Sequence, residues 1–381
     1  MSHPQLAQRL KRGYARVALF LGLFQGLSLG SPAMAQMPGA PLSWQILGDV
    51  TAKYPHSEYA PATLSLGSLD LWFQSQMSEN WSAMGELIVM RDDSGGADSG
   101  HYMIHPARAF LNYEHSSELS FRTGLLHNPI GYYALLCPHG GRFFEPTIHR
   151  PKLAGIEEGE DILPFHMIGA TVRGTLSLSE SFDLMYIAGA GNGYGHGGDD
   201  NNQAKATFLQ LRVLPLDLEG LSVGLSTYFD IIAKDEVVGD VHQFISALSL
   251  HYDMFPIELL VEGFMMRNAT EMSLALNPSV SSESDYIARA TDGKQPTKRL
   301  LGGYAQLSYS WEYHALYGMI EAFKRDMGDY LFDEHTPYDE YQGFELGHRY
   351  HFNQNVVLKS GYTYSVVDAL HRFDLQLAFR L

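Results

Sequence analysis

Residues 370–381 read LHRFDLQLAFRL. One side of this stretch carries Phe373, Leu375, Leu377, Phe379 and Leu381. The other carries Arg372, Asp374, Gln376, Ala378 and Arg380. That is a period-two alternation, the mark of a strand with one apolar face. A soluble sandwich would bury the apolar face in a core. A membrane barrel turns it to lipid and keeps the polar face toward a wet interior. The stretch alone fits both, so the decision passes to the chain that precedes it.

Strand-like runs of about ten residues recur from 43–54 to 369–381, and about sixteen of them can be drawn. Short turns lie around Ser116, Glu180, Leu216, Phe255, Tyr313 and Asn353. They alternate with longer polar connections such as DDSGGADSG (92–100) and NGYGHGGDDNN (192–202). Short turns at one end and long loops at the other describe an up-and-down meander closed into a barrel. Greek-key sandwiches do not keep this rhythm. An even strand count puts both ends of the barrel at the short-turn side. Trp44, Trp81, Tyr113, Phe182, Tyr252, Trp311 and Phe352 all stand beside short turns. Amphipathic aromatics favour the headgroup level of a bilayer, so this clustering reads as an interfacial belt. The expected fold is therefore all-β: a closed antiparallel transmembrane β-barrel of about 16 strands, spanning residues 36–381.

One stretch breaks the rhythm. Residues 128–166 read NPIGYYALLCPHGGRFFEPTIHRPKLAGIEEGEDILPFH, after the fifth strand. It is too rich in Gly and Pro for a strand or helix, and too aromatic to be a solvated linker. It reads as a long loop folded into the interior of the barrel.

The amino terminus reads as an export signal. Arg9, Lys11, Arg12 and Arg16 precede an apolar run from Val17 to Gly30, followed by Ala33-Met34-Ala35. A basic region, an apolar region and a small-x-small site are the three parts of a cleavable signal peptide, here residues 1–35. Removing it would take the formal net charge from −17 to −21. So acidic a chain is a poor partner for nucleic acid. The lone Cys137 rules out an intramolecular disulfide framework.

With the export signal, the strand rhythm, the amphipathic last strand and the long loop after strand five, the chain resembles the Gram-negative outer-membrane porin superfamily of sixteen-stranded diffusion channels. The segment RTGLLHNPIGYY (122–133) is similar to the strand-to-loop passage of its phosphate-selective group. The chain departs from the pattern in two places. It ends in Leu381 where Phe is usual, and its long loop lacks the lysine-rich character tied to phosphate. The resemblance implies a water-filled channel for passive diffusion of small hydrophilic solutes or ions, in the bacterial outer membrane. It implies contact with membrane lipid and lipopolysaccharide, allows a homotrimer, and calls for no cofactor and no enzymatic activity. It places the constriction in the loop 128–166.

Turning apolar residues outward leaves a set of charges pointing inward. Arg108, Arg122 and Arg173 on strands four to six are candidates for a basic stripe. Arg349, Lys359 and Arg372 on the last three strands are candidates for a second basic patch. The inward acids are Asp70, Glu86, Glu258, Glu262 and Glu345. The loop adds Arg142, Arg150 and Lys152, then Glu157, Glu158, Glu160 and Asp161. Rings and patches of such side chains set ion preference in a pore.

Weaker motifs carry less. Gly193 to Gly198 matches G-x-G-x-x-G but lacks the strand–helix context of a dinucleotide site. Asp199, Asp200, Asn201 and Asn202 read as a solvated loop tip rather than a Ca2+ site. Cys137, His139 and His149 are metal-ligating residue types, but one spacing is long and no fourth ligand is evident. Two other functions remain open from the residues alone: an outer-membrane enzyme of the lipase or protease kind, and a surface-exposed adhesin.

Overall fold

The computed structural model describes residues 42–55, 62–91, 102–133, 139–154, 162–193, 203–233, 240–270, 297–326, 338–367 and 369–381. The export signal expected over residues 1–35 lies outside them, as do Glu157, Glu158, Glu160, Asp161, Cys137 and residues 194–202. The side chain of Arg142 is outside them too.

Sixteen strands account for most of the described chain. They are β1 (Leu42–Pro55), β2 (Thr63–Gln76), β3 (Trp81–Arg91), β4 (Tyr102–Ser116), β5 (Leu119–His127), β6 (His166–Ser179), β7 (Phe182–Gly191) and β8 (Ala206–Pro215). There follow β9 (Leu221–Ala233), β10 (Asp240–Met254), β11 (Ile257–Thr270), β12 (Thr297–Trp311), β13 (His314–Arg325), β14 (Glu340–Asn353), β15 (Val356–Ser365) and β16 (Leu370–Arg380). Each pairs antiparallel with its neighbours in sequence, and β1 closes the ring on β16 with Leu47 opposite Arg380 and Asp49 opposite Ala378. Closure leaves no strand edge unpaired, which is what allows a sheet to sit in hydrocarbon.

The alternation in the sequence is the alternation of the wall. In β16, Phe373, Leu375 and Leu377 are exposed on the outside while Asp374, Gln376 and Ala378 are buried. In β9 the same step separates Leu225 and Phe229, exposed, from Ser226, Tyr228 and Asp230, buried. Leu248, Val261, Leu301, Leu307, Leu316, Ile320 and Leu346 continue the outer apolar band. Strands of 9 to 15 residues are long enough to cross a hydrocarbon core when tilted. No helix of the described residues is long and apolar enough to cross a membrane. Near the short turns Trp44, Trp81, Phe182 and Phe352 are exposed, and Trp81 lies against Tyr113 with ring centroids 5.0 Å apart. Tyr113, Tyr252 and Trp311 are half-buried.

A register shift between Glu86 and Leu87 accommodates one extra residue, Ala107, in β4. Such a bulge re-aims the side chains beside it. Here Arg108 stands opposite Glu86 and its Nε donates to Glu86 Oε2 at 2.6 Å.

Candidate functional site: the segment inside the barrel

The segment leaves β5 and enters β6 through one tied root. His127 is paired with His166. The Asn128 main-chain N–H donates to Phe165 O at 2.8 Å, and Asn128 Nδ2 donates to Pro164 O at 2.7 Å. Between these ends the segment contacts strands around most of the ring. Gln210 of β8 donates to Gly131 O at 2.7 Å, and Gly131 N–H donates to Ser226 Oγ of β9 at 3.1 Å. Arg349 of β14 donates to Phe144 O at 2.7 Å, and Lys359 of β15 donates to Thr147 O at 2.9 Å. On the far side Phe143 packs with Leu47 of β1 and Ala378 of β16. Gln210, Ser226, Lys359, Leu47 and Ala378 are buried, inward-facing wall residues on several sides of the ring, so the described part of the segment lies inside the barrel.

Two carboxylates fasten the segment. Glu262 of β11 accepts the main-chain N–H groups of Tyr132 and Tyr133, and the hydroxyl of Tyr304 from the neighbouring strand β12. Glu345 of β14 accepts Ile148 N–H at 3.0 Å and His149 N–H at 3.3 Å, and the hydroxyl of Tyr317 from β13 at 2.8 Å. A carboxylate taken out of water is tolerable when several donors surround it. Loops lack internal ladders, so their N–H groups need such acceptors. Gly131 makes the first clasp possible. Its φ is +77°, and a Cβ there would lie 2.6 Å from Glu262 Oε1. Only a residue without a side chain lets the backbone approach that closely.

Further contacts complete the attachment. Glu321 of β13 accepts Lys152 N–H at 2.6 Å, while the Lys152 ammonium sits over the rings of Tyr338 and Tyr341. Arg212 lies over the Tyr132 ring at 4.5 Å, and Tyr132 OH is 3.3 Å from His251 Nε2. Ile130, Tyr132, Tyr133, Leu153, Ile162 and Leu163 pack with Phe208, Ile245, Phe264, Met266, Leu300 and Phe323 of the inner wall. Apolar burial of this kind is worth roughly 1.5–3 kcal/mol per large side chain.

His149 joins the segment to the barrel seam. Its Nδ1 is 3.0 Å from Glu345 Oε2 and its Nε2 is 2.9 Å from Asp374 Oδ2 on β16. Burial disfavours the imidazolium, but the carboxylates of Glu345 and Asp374 outweigh it and raise the His149 pKa above its ordinary value. Glu145 is the opposite kind of group. Burial, reinforced by Glu258, pushes its carboxyl up to about 8, against the pull of Arg349 and Lys359.

The inward charges read from the sequence thus take several separate positions. Glu262, Glu345, Arg349 and Lys359 are partners of the segment's main chain rather than open wall. The cause is that a loop packed against them needs acceptors and donors. Arg108 and Glu86 pair with each other, and Arg372 Nε pairs with Asp374 at 2.7 Å. Asp70 is fully buried and accepts from Ser68 Oγ at 3.0 Å. Glu258 meets Ser308 Oγ at 3.4 Å and His251 at 3.6 Å. Arg150 is buried, with Nη2 3.5 Å from His139 O. Arg122 and Arg173, on adjacent strands, make no hydrogen bond to the segment among the described residues. Arg122 lies over the Phe110 ring at 4.1 Å. Sequence reasoning missed Glu321, Tyr304, Tyr317 and Gln210. Inward parity on their strands was the available signal for each.

No protein-family model matches the sequence, and no curated protein matches it. Solved structures do match in fold. The outer membrane channel DcaP of Acinetobacter baumannii aligns at a TM-score of 0.58 and 12% identity, over 91% of this chain and 99% of that one. OmpF of Salmonella typhi, solved with daunomycin, aligns at 0.57 and 12% identity over 90% and 98%. An anion-selective porin from Comamonas acidovorans aligns at 0.55 and 9% identity over 90% and 99%. The chain has the closed sixteen-stranded barrel fold of the bacterial outer-membrane porins.

Proposed function

We propose that this chain is an outer-membrane porin, a water-filled channel for passive diffusion of small hydrophilic solutes or ions, narrowed by residues 128–166. The observation that carries the reading is the attachment of the segment to inward-facing residues on many strands of the ring. Its main chain is bonded to β8, β9, β11, β13, β14 and β15, through Gln210, Ser226, Glu262, Glu321, Glu345 and Lys359. Arg122 of β5 and Arg173 of β6 point inward and make no hydrogen bond to the segment among the described residues, and we assign them to the water path. A fixed partition beside a charged wall suits graded diffusion better than it suits a surface hydrolase or an adhesin. Residues 1–35 serve as the export signal, and the mature barrel contacts lipid and lipopolysaccharide. OmpT of Vibrio cholerae, similar in fold, is described in a trimer form, and a homotrimer is the assembly we propose here.

The test is a planar bilayer. The folded protein should give stable conductance steps, and neutralising Arg122 and Arg173 together should move the reversal potential toward cations, most clearly at low salt. Arg108 should matter less, because Glu86 already balances it. No steps at any voltage would overturn the channel reading.

A further inference from the structure

Four histidines converge where the segment meets the wall. His127 closes β5, His166 opens β6, and His139 begins the short 3-10 turn His139–Phe144 within the segment. One ring nitrogen from each of these three lies within 4.8 Å of the others. His139 Nε2 and His166 Nε2 are 3.2 Å apart, with the two rings stacked at 3°. His105 of β4 stands edge-on to both, its centroid 6.4 Å from His139 and 6.3 Å from His166.

The spacing fits one ion. Tetrahedral Zn2+ with ligand bonds near 2.0–2.1 Å sets its nitrogens about 3.4 Å apart. His127 supplies a second, independent sign. Both of its ring nitrogens are enclosed by protein and neither has a hydrogen-bond partner. A buried polar atom without a partner is costly, and a metal bond would satisfy one of the pair. Ligands that are all imidazole select Zn2+, Cu2+ or Ni2+ and disfavour Ca2+ and Mg2+, which require oxygen. The cations acting on His127 are Arg108 and Arg150. Arg108 is already neutralised by Glu86.

We propose that His127, His139 and His166 form a binding site for one imidazole-favouring divalent transition metal, which clips the segment's 3-10 turn to both strands at its root. Three protein ligands leave a fourth position for water. The site is independent of what crosses the barrel.

Tag-free full-length protein, folded in detergent, is titrated with Zn2+ by calorimetry, and with Cu2+ while the electron paramagnetic resonance spectrum is recorded. The expected result is one Zn2+ per chain. His127→Ala, His139→Ala and His166→Ala should each weaken it by about tenfold or more, since even partners outside the ligand shell cost that much. The Cu2+ spectrum of the unaltered protein should carry the coupling of three nitrogens, a readout that no folding defect in a variant can disturb. The other close pair, His314 and His348, 2.9 Å apart, is the comparison. Binding that survives His139→Ala but disappears in the His314→Ala/His348→Ala variant would overturn the assignment. So would a spectrum showing fewer than three nitrogens, or no Zn2+ uptake.

Discussion

Glu262 on β11 and Glu345 on β14 hold the interior segment in the same way. Each accepts two consecutive main-chain N–H groups of the segment, and each also accepts the hydroxyl of a tyrosine from the adjoining strand. The two clasps seize the segment near its start and past its middle, so the turn between them is bounded on both sides.

Replacing either acid should loosen the segment without unmaking the barrel. Glu262→Gln or Glu345→Gln sets an amide donor among N–H donors and strands at least one, at a cost of roughly 1–3 kcal/mol. Larger and noisier single-channel currents are expected, with heat-modifiable gel migration preserved. Currents indistinguishable from the unaltered protein would show that the clasps do not position the segment.

Gly131→Ala should act through the first clasp. The added Cβ meets Glu262 Oε1, and φ +77° is strained for alanine. Its effect on current should therefore not add to that of Glu262→Gln, because both remove one interaction. Full additivity would separate Gly131 from the clasp.

The attachment should be firmer in mild acid. The His149 pKa is raised in the folded protein, so its contribution is complete below its unfolded value, about 6.5. That contribution is lost as pH rises through the higher folded value. Glu145 also binds its proton more tightly when folded, near 8, so stability again falls as pH rises from its unfolded value toward 8. Current noise should therefore grow as pH rises from about 6.5, where His149 begins to lose its share, through about 8, where Glu145 has lost most of its own, and His149→Gln should flatten part of the rise. Noise that falls over this range would contradict the sign.

The face assignment of β16 is open to a paired substitution. Leu377→Arg puts a charge against lipid and should cost roughly 2–4 kcal/mol if it lies near the midplane. Gln376→Arg faces inward beside Asp49, whose Oδ2 now accepts from Gln376 at 3.0 Å, and should cost much less. Equal loss of folded barrel in urea titrations would reverse the two faces.

The wall was legible because its signal is local. Phe373, Asp374 and Leu375 declare their sides by parity alone, and the ring of sixteen follows from repeating that step. The inward direction of Glu262 and Glu345 was legible for the same reason. Their role was not, because their partners are main-chain N–H groups 130 and 197 residues away, which leave no mark in side-chain identity. The histidine cluster was hidden for a related reason. The sequence offered His139 only alongside Cys137 and His149, a set it disfavoured, and His149 lies with Glu345 and Asp374. His139 instead meets His127 and His166, which antiparallel pairing places opposite each other across the segment's whole length.

The central claim is that the interior segment narrows a conducting barrel. Single-channel conductance of the intact chain against a chain lacking Ala134 to Lys152 tests it most directly. Removing those residues takes away the Glu345, Lys359 and Glu321 contacts while leaving all sixteen strands. Higher conductance and passage of larger solutes, from a barrel that still inserts, is the expected result. Unchanged conductance from an inserted barrel would contradict it.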